Sequence, residues 1–179
     1  MSDDQARWVR DALDRFEGPL LLYSSRLLRD PHGAQDVVQE SFLRLLRADR
    51  PTVEPRLPGW LYAVARNLAL DRMRRERWME RPDSAALKDR PGPAADPAER
   101  AAARDAAAAA LRALESLPEK QREALRLRLQ HGLSYREIAE VMDVTVNHVG
   151  VLLHEGLKAL RKRLGVPSPG VAAARGVDR

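Results

Sequence analysis

The sequence predicts an all-α fold in which a flexible linker joins two small helical domains. Apolar residues recur at three- and four-residue steps on both sides of the middle of the chain, and no segment sustains the alternation of a β-strand. A stretch rich in proline and alanine separates the two helical blocks and cannot pack a core. Aromatic residues make up only 4% of the 179 residues, so Leu, Ala and Val are expected to form both cores.

Three or four helices are expected in the first block. Residues 8–28 predict one amphipathic helix, or a helix pair bent at Gly18-Pro19. Residues 30–33 break this helix, and a second helix follows with an apolar face from Ala34 to Leu46. Arg50-Pro51 ends it, and a proline-rich loop comes next. A long third helix then covers residues 60–78.

The second block contains three helices in the sequence prediction. Pro118 suits the start of a helix that carries Leu125 and ends near Gly132, and two shorter helices follow. Leu111, Leu114 and Leu117, just before it, are expected to mark where the alanine-rich stretch becomes ordered. The predicted domains are therefore residues 1–80 and 108–165, with a linker over 81–107 and a disordered tail over 166–179.

Charge and composition restrict the classes of partner and cellular location. The chain has 31 Lys and Arg against 26 Asp and Glu, a net charge of +5 and a pI of about 10.1, which favours a polyanionic partner. It has no cysteine, so it cannot form a disulfide or a thiolate metal site, and no cofactor or metal is expected. No apolar run has the length of a signal peptide core or a membrane span, which predicts a soluble cytoplasmic protein.

Residues 134–156, SYREIAEVMDVTVNHVGVLLHEG, predict a helix-turn-helix. Ala139 provides a small side chain where two helices cross, Asp143 tolerates the positive φ of the turn, and Thr145 can cap the second helix. An ordinary helical hairpin would have a similar pattern. The predicted inward positions of the second helix are Val149, Leu152, Leu153, Gly156, Leu160 and Leu164.

The outward face of that second helix has few groups that read DNA bases. Asn147 and His154 are the best candidates for base edges, while Lys158 and Arg161 suit phosphates or complement the helix dipole. Glu155 opposes phosphate binding. Such a helix would bind DNA weakly by itself, so a second anchor is expected.

A basic helix with aromatic residues is the candidate for that anchor. Residues 59–78, GWLYAVARNLALDRMRRERW, combine arginines with Trp60 and other aromatic rings. Single-stranded nucleic acid binds such surfaces, because exposed bases stack on the rings and cations follow the phosphates. Alternatively, Trp60 lies in the core and the arginines form a solvated face paired with Asp71, Glu76 and Glu80.

A third cluster carries Asp36, Gln39, Glu40 and Arg44 at helical spacing, opposite an apolar face. It is too acidic to bind DNA. The stripe is either solvated or a docking surface for a helix of another protein.

Taken together, residues 16–78 and 113–164 resemble bacterial RNA polymerase sigma factors of the extracytoplasmic-function (ECF) type. The motifs that carry the resemblance are AQDVVQESFLRLLR, PGWLYAVARNLALDRMRRERW and ALESLPEKQREALRLRLQHGLSYREIAEVMDVTVNHV, in that order. The resemblance implies a non-catalytic subunit that binds core polymerase, selects promoters and helps to melt DNA. It also implies a monomer when free and an anti-sigma factor as a regulatory partner.

The resemblance assigns each cluster a task. The clamp helices of the largest polymerase subunit would contact the stripe of Asp36, Gln39, Glu40 and Arg44, and the flap of the second-largest subunit would hold the second domain. The non-template strand of the minus-ten element would contact Trp60, Arg66, Asn67, Asp71, Arg72, Arg74, Arg75 and Arg77. The minus-thirty-five element would contact Thr145, Asn147, His148, Gly150, Val151, His154, Lys158 and Arg161.

The sequence departs from the family pattern at two places in the helix-turn-helix, which limits what relatives can indicate about its DNA preference. Many relatives have basic residues near Gly150, Leu152 and Glu155, and this chain does not, so base preference cannot be transferred. The turn residue is Asp143, where glycine is common. Reading of the minus-thirty-five element would then rest largely on phosphates and DNA shape.

Two other functions would each use part of this sequence. A helix-turn-helix regulator that binds duplex DNA without acting as a sigma factor would explain the second domain alone. A hydrolase would have to use the four histidines, but the chain has no HExxH motif and no cysteine. The histidines in question are His32, His131, His148 and His154.

Overall fold

A computed structural model describes residues 3–79, here called the first half, and 107–165, the second half; both are built of helices and turns. The all-α prediction is therefore confirmed for these residues, while the predicted linker and tail lie largely outside them. The first half contains α1 (Asp3–Leu28), α2 (Pro31–Arg47), α3 (Arg50–Val53), a 3-10 turn (Glu54–Arg56) and α4 (Leu57–Met79). The second half contains α5 (107–115), α6 (Glu119–Leu129), α7 (Tyr135–Met142) and α8 (Val146–Leu164).

The first helix, α1, is one continuous helix with Pro19 inside it, so the alternative of a helix pair is wrong. It buries Leu20 and Tyr23 against the other helices of the first half. The chain then reverses at Asp30, whose carboxylate accepts hydrogen bonds from the backbone N–H groups of His32 at 3.0 Å and Gly33 at 2.9 Å. This cap satisfies donors that the start of α2 would otherwise leave free.

The predicted proline-rich loop before α4 is instead a helical segment. Residues 50–53 form α3 and residues 54–56 form the 3-10 turn. Prolines are tolerated there because they occupy the first positions of these elements, where a missing N–H breaks no helical hydrogen bond. Val53 and Leu57 are buried, so the segment also contributes to the core.

The second half packs α8 on α6 and α7. The buried residues include Leu125, Leu127, Ile138, Val141, Val149 and Leu153. Leu164 was expected to pack inward and is exposed. Leu164 is in the last turn of α8, directly before Gly165, which ends the helix at φ 66°. Ordering of the alanine-rich stretch begins earlier than predicted, since α5 is helical from residue 107.

The two halves pack against each other through α4 and α7. They cross closely at Gly59, where a Cβ atom would lie 2.9 Å from the Cγ of Glu137. Buried apolar side chains form one cluster that continues from Leu61 of α4 to Ile138 of α7. The sequence left the relative placement of the two domains open, and this packing brings their predicted DNA-binding helices into one body.

Candidate functional site

The turn between α7 and α8 forms as the sequence predicts. Asp143 is left-handed, with φ 54° and ψ 55°, a conformation that a short polar side chain tolerates. Its backbone N–H donates to the carbonyl of Ala139 and ends α7. The hydroxyl of Thr145 accepts a hydrogen bond from the His148 N–H at 3.2 Å and caps α8. These local contacts fix the direction in which α8 leaves the turn.

The inner face of α8 packs tightly on α6. Val149, Leu152 and Leu153 are buried, as predicted, and Leu160 is half-buried. Gly156 faces Leu125, and a Cβ atom at this glycine would lie only 2.9 Å from the leucine Cδ1. A small residue is therefore needed where these two helices meet.

The outer face of α8 is open and partly apolar. Six of the eight residues predicted there are exposed: Thr145, Asn147, His148, Val151, His154 and Lys158. Gly150 and Arg161 are half-buried. Val151 is 57% exposed and lines a shallow depression together with Asn147 and His154. This face thus offers apolar contact beside a small number of hydrogen-bonding groups.

Arg66 of α4, which was predicted to contact DNA, pairs with a carboxylate of the second half instead. The Nε of Arg66 donates to a carboxylate oxygen of Glu123 on α6 at 2.8 Å. The two side chains are only 16% and 10% exposed. The hydroxyl of Tyr23 donates to the same carboxylate at 2.7 Å. Arg66 is therefore not accessible to a nucleic acid in this arrangement.

Arg72 is also held by protein groups. Its guanidinium donates to Asp36 at 2.9 Å, to Asp30 at 3.1 Å and to Glu76 at 2.8 Å. It lies directly over Gly33, where a Cβ atom would be 2.7 Å from the guanidinium carbon. Arg72 thus joins α4 to the start of α2, and Asp36, from the stripe predicted to bind polymerase, is one of its partners.

The remaining predicted residues of α4 are more accessible. Asn67, Asp71, Arg74 and Arg75 are exposed. Trp60 is half-buried and packs against the core. This agrees in part with the alternative in which Trp60 is a core residue. Asp71 accepts a hydrogen bond from Arg74, as the alternative of a paired, solvated face predicts. The side chain of Arg77 lies outside the described residues, as does Glu80.

On α2, the acidic stripe is accessible. Asp36, Gln39 and Arg44 are exposed, Glu40 is half-buried, and Arg44 donates to Glu40 at 3.0 Å. An apolar groove of about 500 Å³ between α1 and α2 runs beside Gln39. Its apolar lining consists of Val9, Leu13, Leu21, Val38, Phe42, Leu43 and Leu46. An acidic edge beside an apolar groove suits contact with a basic, amphipathic protein surface.

Sequence reasoning missed the contacts between the halves. The Tyr62 hydroxyl and Nδ1 of His131 are 2.7 Å apart, and the Tyr23 ring meets the His131 ring edge-on with centroids 5.9 Å apart. Glu123 and Glu137 complete the group of residues that face α4. No local pattern marks these residues, because their partners lie more than 50 positions away in the chain.

Burial changes the protonation chemistry of this contact. It raises the pKa of Tyr23 well above its usual value, and the neighbouring Glu123 carboxylate raises it further. Burial also lowers the pKa of His131 to about 4, with smaller contributions from Arg26 and Arg126. The His131 imidazole that shares a hydrogen bond with the Tyr62 hydroxyl is therefore neutral at neutral pH.

The hydrolase alternative gains no support from the geometry. Within residues 3–79 and 107–165, no group of three or more His, Asp or Glu side chains could hold a metal ion. His131 is hydrogen-bonded to Tyr62, whereas His148 and His154 lie on the exposed face of α8.

Comparison with known families matches both halves of the chain. The family model described as Sigma-70 region 2 matches residues 13–79, and the one described as Sigma-70, region 4 matches residues 107–160. None of the described helices is both long and apolar enough to span a membrane.

Several sigma factors resemble the chain along most of its length. The ECF RNA polymerase sigma factor ShbA of Streptomyces griseus is 33% identical over 172 residues, which cover 89% of this chain and 88% of that protein. The RNA polymerase sigma-H factor of Pseudomonas aeruginosa is 33% identical over 165 residues, covering 84% and 82%. The ECF RNA polymerase sigma factor SigW of Bacillus subtilis is 28% identical over 167 residues, covering 86% and 87%.

Among solved structures, the sigma factor RpoE of Bartonella quintana, in complex with the anti-sigma factor NepR, has a similar fold. The TM-score is 0.61 at 19% identity, and the match covers 89% of this chain and 98% of that one.

Proposed function

Because the chain belongs to the ECF sigma factors of bacterial RNA polymerase, we propose that the accessible faces of α2, α4 and α8 bind the polymerase and promoter DNA. As a sigma factor it directs RNA polymerase to promoters. The observation that carries the proposal is the joint match of both sigma regions, each of which has an exposed candidate face in the described residues. The chain would perform no catalysis itself.

The proposed domains keep the boundaries expected from the sequence. Residues 1–80 form sigma region two and residues 108–165 form sigma region four, with a linker over 81–107 and a tail over 166–179. The matched ranges of 13–79 and 107–160 support this division.

Region two would bind core polymerase through α2. The stripe of Asp36, Gln39, Glu40 and Arg44 would contact the clamp helices of the largest subunit, while region four would contact the flap of the second-largest subunit. Exposure of the stripe and the neighbouring apolar groove support the first contact. Because Asp36 also holds Arg72, binding at the stripe would loosen one of the three restraints on that arginine.

The exposed part of α4 would capture the melted non-template strand at the minus-ten element. Asn67, Asp71, Arg74 and Arg75 are accessible for this contact, and Trp60 and Arg77 would contribute. Stacking of an extruded base would offset an unstacking cost of roughly a few kcal/mol, which couples melting to binding. Arg66 and Arg72 would take part only after release from their carboxylate partners.

The outer face of α8 would enter the major groove at the minus-thirty-five element. Asn147 and His154 suit base edges, Lys158 and Arg161 suit phosphates, and Thr145, His148 and Gly150 would approach the backbone. The exposed Val151 suits the methyl group of thymine, which is the apolar feature of the major groove. Much of the remaining preference would come from DNA shape.

We expect a monomer when free, regulated by an anti-sigma factor. The RpoE structure with a similar fold is a complex with such a partner, NepR, which supports this expectation. A regulator that binds duplex DNA without polymerase is not favoured. Such a regulator would need only the helix-turn-helix, whereas the first half of this chain matches sigma region two.

In vitro transcription with purified core polymerase on a genomic fragment library tests the proposal. The full chain should enable transcription from a subset of fragments that core polymerase alone ignores. The Asp36→Lys/Gln39→Ala/Arg44→Glu variant should lose core binding in a pull-down. Binding to duplex DNA without any association with core polymerase would contradict the proposal and favour the regulator.

A further inference from the structure

Arg72 attaches the exposed end of α4 to the start of α2. Among the described side chains of α4, Ala69 is the last one that is buried, and Arg74 and Arg75 beyond it are exposed. Between these positions, Nη2 of Arg72 donates to the carboxylate of Asp30 at 3.1 Å. This bond therefore restrains the part of α4 from which the two exposed arginines project.

The guanidinium of Arg72 is shared among three carboxylates. Its Nε donates to Glu76 at 2.8 Å and its Nη1 to Asp36 at 2.9 Å, in addition to the bond with Asp30. One cation among three carboxylates leaves a negative local charge, which repels a phosphate group. Only Asp36 belongs to the α2 stripe proposed to bind polymerase, so Asp30 and Glu76 still hold the arginine after that stripe is occupied.

Asp30 has a second task that fixes its own orientation. Its Oδ1 accepts a hydrogen bond from the N–H of His32, and its Oδ2 accepts from the N–H of Gly33 as well as from Arg72. The two backbone donors hold the carboxylate in one direction as the cap of α2. Arg72 therefore meets an acceptor whose position is already set by the helix start.

The backbone of α2 leaves space for the guanidinium at Gly33. A Cβ atom there would lie 2.7 Å from the Cζ of Arg72 and 2.5 Å from Oδ2 of Asp30. The guanidinium thus lies against a glycine whose hydrogen atoms are all that fits beneath it. An arginine that extended toward DNA would need no such space.

We propose that Asp30 and Arg72 are positioning residues for promoter opening. Their ion pair sets the direction of the end of α4, so that Arg74 and Arg75 face the melted strand, while Arg72 itself stays bound to protein carboxylates. Because Asp30 lies at the start of α2, the pair also fixes these arginines relative to the polymerase-binding stripe. The proposal rests on the function proposed above for α4, and it assigns Asp30 a role that its local sequence does not indicate.

Asp30→Asn in the full chain tests the proposal, because asparagine caps a helix as well as aspartate does but carries no charge to hold Arg72. With core polymerase and a supercoiled promoter identified by in vitro transcription, Asp30→Asn and Arg72→Gln should each slow opening by about threefold to fivefold, as expected for a partly exposed ion pair. Asp14→Asn, the same change at an exposed position of α1, should open at the normal rate.

The opposite sign would overturn the proposal. If Arg72 binds a phosphate of the strand, Asp30→Asn releases it from a competing carboxylate, and opening becomes faster while Arg72→Gln still slows it. Permanganate footprints of the melted strand measure the rates. Circular dichroism at the assay temperature and a core pull-down verify that each variant is folded and bound.

Combined variants distinguish positioning from a general loss of stability. Asp30→Asn/Arg72→Gln should be no slower than Arg72→Gln alone, because the two residues act through one ion pair. In the background of Arg74→Ala/Arg75→Ala, adding Asp30→Asn should have no further effect, since the side chains to be positioned are gone. An additional loss in that background would contradict the proposal.

Gly33→Ala moves the guanidinium and retains every charge. Its methyl group would occupy the space of the Arg72 side chain, so opening should be as slow as with Arg72→Gln. Gly18→Ala is the matched control, since a Cβ atom at Gly18 meets no other atom within 4 Å. Normal opening by Gly33→Ala would also overturn the proposal. If the unmodified chain opens no promoter with core polymerase, the sigma function on which the proposal rests is refuted instead.

Discussion

The two helices proposed to contact DNA, α4 and α8, differ in the contacts that hold them to α6 and α7. Apolar packing holds α8, centred on Gly156 and the buried Leu125. Polar contacts join the apolar packing of α4 on α7, and they are centred on the Arg66–Glu123 pair and the Tyr62–His131 hydrogen bond. Apolar burial is insensitive to charge, whereas a polar contact can be exchanged for water, nucleic acid or another protein. The attachment of α4 is therefore expected to depend more on charge and pH than that of α8.

The largest expected effect comes from the apolar attachment. Leu125→Ala should lower the free energy of unfolding by about 2–5 kcal/mol, because it removes fully buried methyl groups and leaves a cavity beneath α8. Leu129→Ala is the matched control on the same helix, since Leu129 is 62% exposed and should change stability by less than about 0.5 kcal/mol. Urea denaturation measures both. Similar losses in the two variants would show that α8 is not anchored at Leu125.

Two glycines on α8 provide a second test of how tightly this helix packs on Leu125. Gly156→Ala would force a methyl group against Leu125, whereas Gly150→Ala would enter open space. Alanine favours the helix equally at both positions, so the difference between the variants reports the close contact alone. Gly156→Ala should be less stable than Gly150→Ala by about 1–3 kcal/mol in urea denaturation. Equal stabilities would mean that the helices separate easily at Gly156.

The contrast also explains what could be predicted from the sequence. The turn before α8 depends on neighbours within four positions, so Asp143 and Thr145 were identified by spacing. The helical segment before α4 was missed because its prolines were interpreted as a loop, although prolines at first helical positions are compatible with a helix. The α4 contact was missed because Arg66 and Glu123 are 57 positions apart and neither has a distinctive local pattern.

The family resemblance identified the candidate surfaces but could not show their internal partners. Arg72 illustrates this limit. The sequence presents it as one of several arginines on a basic helix, and only the tertiary structure shows three carboxylates around it, two of them from the start of α2. Residue type and helical spacing therefore predicted which face of the chain is basic, but not which of its cations are already engaged.

Acid should weaken the polar attachment through His131. Its pKa of about 4 in the folded protein lies below the value of about 6.5 expected when the chain is unfolded. The unfolded state therefore binds more protons between these values, so this contribution to stability is complete above about pH 6.5 and is lost as the pH falls toward 4. The groups that face the imidazole are Tyr23, Tyr62, Arg26 and Arg126.

Between pH 7 and pH 5 the loss should be about 1–2 kcal/mol, with allowance for partial solvent access. Urea denaturation of the unmodified chain and of His131→Asn across this range measures it. The variant should show a shallower pH dependence, while His154→Asn, on the exposed face of α8, should behave like the unmodified chain. Parallel curves for all three proteins would exclude His131 as the titrating group.

The exposed arginines of α4 should affect promoter opening without affecting the contact between α4 and the second half of the chain. Arg74→Ala/Arg75→Ala should reduce promoter opening by about tenfold, or about 1.4 kcal/mol, because phosphate contacts are lost. Core binding should change little, since neither residue lies on the α2 stripe. A permanganate footprint of the melted strand and a core pull-down measure the two effects. Loss of core binding in this variant would contradict the proposed division between α2 and α4.

Adding Arg72→Ala should have a different consequence. Arg72 is surrounded by three carboxylates, so its removal should also lower the free energy of unfolding by leaving Asp30 and Asp36 without their cation. A triple variant therefore mixes a structural loss with a loss of DNA contact. The double variant separates them, and thermal unfolding of both proteins shows how much of the triple variant's defect is structural.

The smallest expected effect belongs to Val151 on the outer face of α8. Val151→Ala should leave the free energy of unfolding within about 0.5 kcal/mol, because the side chain is 57% exposed. If the Val151 side chain contacts a thymine methyl group, Val151→Ala should weaken the preference for thymine at one position of the minus-thirty-five element. The free energy of that preference should fall by up to about 1 kcal/mol. Promoter libraries randomised at that element, transcribed by holoenzyme made with each protein, measure the preference. Replacing that thymine by uracil removes the methyl group, so it should reduce transcription by the unmodified protein and leave transcription by Val151→Ala unchanged. Equal responses of the two proteins would assign this face to recognition of DNA shape or to a protein partner.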